Sequence, residues 1–417
     1  MAKSSTVTLL YLARGVRGFG DGFATIILPA YLIAIGYDPI HIGAVLTASL
    51  LGTAIFTLAV GAIAPHHDMR TLMLIGAALM AATGLAFPNV QHIALLGFVA
   101  FVGTINPSTG DLGVLVPLEH AMIARSVADE DRTRAFSHYS LIGALAMASG
   151  TLAASLPDFL PHEIIGRLDA FKIMFHIYAV LGLGCAVLYR RMPHARMAEP
   201  GNHQPLRHSR SVVYKLAALF SLDAFAGGFA VQSLLALWLF ERFNLSLSET
   251  GLFFFSAGLL SAFSYPVAAW LARRIGLVNT MVFTHIPSSI FLILAAYSSN
   301  LYVTLGLLLL RSSLSQMDVP TRTSYVMAVV TPEERAAAAS VTAVPRSLAS
   351  AISPTIAGAL FAMALPGLPL VICGTLKIFY DLGLLYSFRH LKPPEEMISS
   401  AAQKNMTFPP TAPTRPT

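Results

Sequence analysis

The sequence predicts an all-α polytopic membrane protein, with twelve transmembrane helices in two pseudo-symmetric six-helix bundles. Three observations carry this expectation. Hydrophobic residues make up 55% of the 417 and charged residues only 12%, about half the roughly 25% usual in soluble domains. Apolar stretches near the length of a bilayer-spanning helix, about 20 residues, recur twelve times. Segments of the first half also reappear in the second at nearly constant spacing. Mean hydropathy is +0.67. So few polar residues cannot cover a water-soluble surface, which argues against a soluble enzyme, a disordered chain or a nucleic-acid binder. The net charge of +6 then reads as basic cytoplasmic loops. Cys185 and Cys373 lie in apolar stretches and form neither a disulfide framework nor a metal cage.

The first six stretches cover residues 7–35, 42–64, 71–86, 93–114, 135–156 and 170–188. The first is too long for a cleavable signal peptide, carries Arg14, Arg17 and Asp21, and lacks a small-residue cleavage site. The fourth is interrupted by Asn106-Pro107-Ser108 and Gly110-Asp111. A polar segment, 189–211, holds Arg190, Arg191, Arg196, Arg207 and Arg210 against Glu199 alone. It reads as a cytoplasmic linker; its histidines, His194, His203 and His208, read as solvated rather than metal-binding. The second six stretches cover 212–240, 250–272, 280–296, 302–321, 336–364 and 368–388. The expected organisation is an N-terminal bundle (1–188), the linker (189–211), a C-terminal bundle (212–390) and a disordered cytoplasmic tail (391–417). With both termini in the cytoplasm, nineteen of 27 Lys and Arg fall on the cytoplasmic side. That bias fixes the orientation of a multi-pass protein of the cell membrane.

The segment from Pro117 through Arg132 aligns with that from Pro320 through Arg335 without a gap, at an offset of 203. Gly22-Phe23-Ala24 matches Gly228-Phe229-Ala230 at 206, and Gly43 matches Gly251 at 208. A duplicated six-helix unit with a central site between its copies accounts for all three.

This architecture, with its basic central loop, resembles the major facilitator superfamily. Ala269-Trp270-Leu271-Ala272-Arg273-Arg274-Ile275-Gly276 is similar to that family's Gly-x-Leu-Ala-Asp-Arg-x-Gly loop, with Arg273 where the family has Asp. Residues 61–70 are a more degenerate version, with Pro65 in place of the acid and Asp68 shifted. Residues 143–150 lack the Gly-x-x-x-Gly-Pro pattern of the family's drug–proton antiporters, which points away from a multidrug pump. Arg311 through Gln316 resembles a displaced form of the family's buried-arginine motif. The resemblance implies a secondary transporter whose halves rock about a central cavity.

Ionisable residues within the spans are the candidate site. Each costs roughly 2.5–3.5 kcal/mol at a helix centre unless paired or hydrated, so together they must face one another or water. Arg14, Arg17, Arg311, Arg346 and Lys377 are the candidate substrate-binding cations, because arginine's planar donors suit carboxylate or phosphate. Asp21, Asp223, Asp318 and Asp381 are the candidate proton-coupling carboxylates. Arg17 corresponds to Asp223 in the repeat, so a pair across the halves is one expectation. Self-contained Arg17–Asp21 and Lys377–Asp381 pairs along single helices are the alternative. Asp68, Arg70, Arg273 and Arg274, with Glu333, Glu334 and Arg335, read as latches between helices in one conformation. Phe253-Phe254-Phe255 reads as lipid contact and packing.

No phosphate-binding loop of the Gly-x-x-x-x-Gly-Lys-Ser/Thr type is present. The expected function is proton-coupled movement of a small polar or anionic solute by alternating access, by a monomer in a lipid bilayer. No cofactor, no enzymatic chemistry and no nucleic-acid partner are expected. Efflux of drugs or metal ions, or a non-transporting receptor on the same fold, are the alternatives.

Overall fold

The structure is a computed structural model that describes residues 2–108, 113–128, 131–161, 165–196, 206–207, 209–331 and 334–389. Among these the fold is helical throughout, built in chain order as follows. The first half comprises α1 (Ala2–Ala34), α2 (Pro39–Ile63), α3 (Met69–Ala86), α4 (Ile93–Val102), α5 (Val116–Ser126), α6 (Arg132–Ala153), α7 (Leu156–Phe159) and α8 (Arg167–Arg190). The second comprises α9 (Arg210–Gly228), α10 (Gln232–Phe243), α11 (Leu247–Ile275), α12 (Leu277–Tyr297), α13 (Leu301–Leu314), α14 (Asp318–Val329), α15 (Arg335–Ala362) and α16 (Leu368–Phe388). Each half passes along the bundle six times.

Three passes that the hydropathy reads as single helices are broken. The fourth is α4 then α5, the seventh α9 then α10, and the tenth α13 then α14. The repeat-matched prolines explain two restarts. Pro117 and Pro320 each lie in the first turn of the helix after the break, where a missing N–H removes no intrahelical bond. The fourth and tenth passes therefore continue through Ser126 and Val329, beyond the 114 and 321 expected from sequence. The segments after the breaks read as loop because they carry Glu119 and Arg322, and both are buried. Nine described helical stretches are long and apolar enough to cross a membrane. The three passes outside that set are the broken fourth and tenth and the polar α15.

Close backbone packing joins the helices within each half. A Cβ on Gly22 would lie 2.1 Å from the Met147 carbonyl oxygen, so α1 rests directly on α6. The repeat-matched Gly228 sets α9 on α15 in the same way, 2.4 Å from the Ser350 carbonyl oxygen. Small residues allow this approach. The Gly18-Phe19-Gly20-Asp21-Gly22 run stays helical within α1.

Contacts between the halves gather away from the end where α1 begins and α16 finishes, called here the terminal end. Thr355 donates to Thr47 at 2.8 Å and Gln232 to Thr25 at 3.0 Å. Ser233 donates to the Thr25 carbonyl at 2.7 Å, and the Ser248 N–H to Asp158 at 2.8 Å. Gly43 lets α2 meet α15 at the Pro354 carbonyl. Among the described residues no hydrogen bond joins the two bundles near the terminal end. The inter-half hydrogen bonds among the described residues thus lie toward the far end of the bundle.

The described ends of the linker are tied to opposite halves. Asp68 accepts from the Ala195 N–H at 2.8 Å and from His194 at 2.6 Å, and the Ala195 carbonyl accepts from the Met69 N–H at 2.8 Å. At the other end Glu334 accepts from the Arg207 and Ser209 N–H groups at 2.6 and 2.9 Å. Partial burial pushes the Asp68 carboxyl up, but the Ala195 N–H, His194 and the Arg70 N–H outweigh it and hold the carboxyl below its ordinary value. A depressed folded-state pKa stabilises the tie above the unfolded value and loses it as pH falls through the folded one. Amide exchange at Ala195, corrected for intrinsic rate, is therefore expected to be slow across neutral pH. It accelerates only below the ordinary Asp range near pH 4, roughly, and Asp68→Asn accelerates it at neutral pH.

Candidate functional site

A cavity of about 470 Å³ lies between the halves. Its charged lining comes almost wholly from the second half: Asp223 on α9, Arg311 on α13, Asp318 and Arg322 on α14, Arg346 on α15 and Lys377 on α16. The first half adds Arg14 and uncharged residues, among them Leu50, Met147 and the small Gly143, Ala144 and Ala148 of α6. Phe253 and Phe254, expected to serve lipid contact and packing, also line it and pack edge to face at 5.0 Å.

Asp223 anchors the second-half network. Its Oδ1 accepts from Lys377 Nζ at 2.6 Å and its Oδ2 from Arg322 Nη1 at 3.3 Å. Arg322 Nη2 also donates to Asp318 one turn earlier on α14. The repeat explains why this geometry recurs in the first half. There Arg17 Nη2 donates to Glu119 Oε2 at 2.6 Å, and Tyr189 donates to Oε1 at 2.5 Å. Tyr139 also donates to Glu119 and accepts from Arg17 at 3.2 Å. Glu119 is completely buried. Arg17 corresponds to Asp223 and Glu119 to Arg322, so the two halves carry the same ion pair with its polarity reversed.

This arrangement corrects the expectation of an Arg17–Asp223 pair across the halves: each residue is satisfied inside its own bundle. The self-contained helical pairs are also absent among the described residues. Asp21 accepts from Tyr178 at 3.1 Å rather than pairing with Arg17. Lys377 turns to Asp223 and to His285 Nε2, 3.2 Å away, while Asp381 binds His285 Nδ1 at 3.0 Å. Asp381 is fully buried behind His285. Arg17 is withheld from the main cavity, and Asp21 touches only a small side cavity next to Arg14. Arg14 places its guanidinium 5.1 Å from the Tyr139 ring centre.

Glu119, Arg322 and His285 were not singled out from sequence. The ungapped alignment of Pro117 with Pro320 already sets Glu119 against Arg322, and opposite charges at matched positions were the available signal. His285 had none, since one histidine in an apolar stretch is usually packing.

The latch candidates sit elsewhere. Asp68 caps α3 and holds the linker. Arg70 donates to His194 at 2.9 Å. Arg274 stacks on Trp270 of its own helix at 4.2 Å, and Arg273 is exposed. None bonds to the opposite bundle in this conformation. Glu333 and Asp111 lie outside the described residues.

With fold and cavity in place, comparison with known proteins settles the family. The profile of the Major Facilitator Superfamily matches residues 10–354 and 216–416, and the chain belongs to that family. The "uncharacterized membrane protein YJR124C" of Saccharomyces cerevisiae is 25% identical, over 92% of this chain and 94% of its own. Among solved structures, the nucleoside transporter NupG superposes with a TM-score of 0.71 at 13% identity, covering 92% of this chain and 99% of its own. A D-xylose–proton symporter gives 0.73 at 14%, covering 91% and 97%. The human organic anion transporter MFSD10 gives 0.64 at 16%, covering 92% and 100%. The chain thus has the fold of Major Facilitator Superfamily transporters and is a multi-pass membrane protein.

Removing one partner of a buried ion pair strands the other charge, which costs about 3–5 kcal/mol. Glu119→Gln is therefore expected to lower the thermal unfolding midpoint in detergent sharply. The double variant Arg17→Met with Glu119→Leu is expected to lower it less than Glu119→Gln alone.

Proposed function

We propose that the chain is a secondary active transporter that carries a small polar or anionic solute by alternating access, with protons as the coupling ion. It sits in the cell membrane with both termini in the cytoplasm, and it works as a monomer. The supporting observation is the charge balance of the cavity wall. Five cationic side chains, Arg14, Arg311, Arg322, Arg346 and Lys377, face it against two carboxylates, Asp223 and Asp318. Asp223 and Asp318 are engaged by Lys377 and Arg322. Among the described residues no carboxylate lies within 4.0 Å of Arg311 or Arg346, both of which line the cavity.

Two desolvated guanidinium groups attract an anion, because a buried charge without a counter-charge is costly and planar donors fit a carboxylate or phosphate. Of the sequence-derived cations, Arg14, Arg311, Arg346 and Lys377 are placed to meet the solute; Arg17 serves the fold. Hydroxyl groups of Ser288, Ser315, Ser347 and Ser350 near the same wall suit a polar body, and Phe253, Phe254 and Leu292 an apolar one. Asp223 and Asp318 are the carboxylates open to protons from the cavity, and Asp381 stands behind them. Inter-half hydrogen bonds gathered toward the far end support an inward-facing state, open at the end that carries the termini. The opposite state would close that end and bring Asp68, Arg70, Arg273 and Arg274 toward the facing bundle.

The test is an uptake screen across solute classes in proteoliposomes with an imposed pH gradient. The expected result is gradient-driven accumulation of an anion or a polar zwitterion. Arg311→Gln and Arg346→Gln each raise its KM, by about tenfold to a hundredfold for a lost charge-assisted contact. Active flux indifferent to the gradient removes the proton, and exclusive uptake of cations removes the substrate class.

A further inference from the structure

His285 on α12 takes part in no role assigned above, yet it joins the buried Asp381 to the cavity-lining network. Asp381 offers both carboxylate oxygens to Nδ1, at 3.0 and 3.1 Å. A carboxylate accepts, so Nδ1 carries the proton. Lys377 Nζ lies 3.2 Å from Nε2. An ammonium only donates, so Nε2 is the bare acceptor. The imidazole in this state is neutral and has one protonation site left, turned toward the cavity wall.

We propose that His285 is the proton-binding residue of the transport cycle, and that its protonation releases Lys377 to receive the anionic solute. This deepens the transporter reading and rests on it. A proton on Nε2 turns the acceptor into a donor and sets a second positive charge beside the ammonium, so the Lys377–His285 bond breaks. The nearest acceptor for the new N–H is Asp223 Oδ1, 3.9 Å from Nε2. That same oxygen holds Lys377 at 2.6 Å. The imidazolium therefore competes with Lys377 for Asp223, while Asp381 behind it stabilises the new charge. Lys377, loosened from both partners, is already at the cavity surface beside the two arginines without carboxylate partners.

The surrounding charges favour this coupling. Facing His285 are Asp223 from α9 and Lys377, Asp381 and the Tyr380 ring from α16, and Asp318 and Arg322 from α14 line the same cavity. Arg311 on α13 lies near, its carbonyl bonded to Ser288 one turn along α12, and Arg346 on α15 and Tyr265 on α11 complete the wall. Three carboxylates meet four fixed cations, so a proton on His285 deepens an existing surplus of positive charge. A bound anion relieves it. Each ligand therefore raises the affinity for the other, and linkage makes the effect reciprocal.

The test measures charge displacement after pH steps, without solute, in the full-length protein reconstituted on a solid-supported membrane. The wild type gives a transient current whose size depends on pH with a single midpoint. His285→Gln loses most of it, while His176→Gln, altered on the exposed face of α8, keeps it. Asp381→Asn moves the midpoint to lower pH, and Lys377→Met moves it to higher pH, by about one unit or more. A wild-type current in well-folded His285→Gln overturns the proposal. If that variant does not fold, an unmoved midpoint in both Asp381→Asn and Lys377→Met overturns it instead. An unmoved midpoint in Lys377→Met alone overturns the release of Lys377. Solute uptake that keeps its pH dependence in His285→Gln refutes His285 but leaves the transporter reading intact. Absence of solute flux in the uptake screen counts against that reading, whatever the currents show.

Discussion

A charge placed at mid-depth in a helical bundle must find an opposite charge or water, and this condition shapes the chain. Desolvation of an ion in a low-dielectric interior costs several kcal/mol even after relaxation, roughly. The protein meets the condition twice with one design. A residue midway along the first helix of each half pairs with a residue just past the break in the fourth. In the first half the cation sits on the first helix; in the second half the carboxylate does. The breaks preceding α5 and α14 matter here, because they set Glu119 and Arg322 within reach of Arg17 and Asp223.

The two versions differ in what surrounds them. Around Glu119, two tyrosine hydroxyls and one guanidinium satisfy the carboxylate, and the main cavity does not reach it. Around Asp223, the partners are Lys377 and Arg322, which line the cavity and connect onward to His285 and Asp381. The first pair is a structural clamp, closed on all sides. The second is the same clamp opened to the cavity between the halves. Duplication followed by divergence of charge accounts for a quiet half and a polar half meeting at one cavity.

Much of this was legible in the sequence and some was not. Composition and the twelve apolar stretches carried the fold class, because a bilayer-spanning helix has a length and polarity that few soluble segments share. The offsets at Pro117, Gly22 and Gly43 carried the duplication, since prolines and close-packing glycines hold positions that other residues cannot. The set of buried charges was also legible: Asp223, Arg311, Asp318, Arg346 and Lys377 do face one cavity. Their partners were not. Spacing along one helix favours the nearest residue, as with Lys377 and Asp381, whereas helix rotation in the bundle turns the side chains to other helices. Glu119 and Arg322 were hidden for a related reason: a helical turn that buries an ion pair has the hydropathy of a loop.

The central claim is that a wet cavity with surplus positive charge lies between the halves. Its most direct measurement places one cysteine on the wall, Ser315→Cys, with Cys185 and Cys373 replaced by alanine, and compares anionic and cationic thiol reagents of similar size. The account predicts reaction from the side that carries the termini, with the anionic reagent faster. A cysteine that neither reagent reaches, or that the cationic reagent modifies faster, would contradict it.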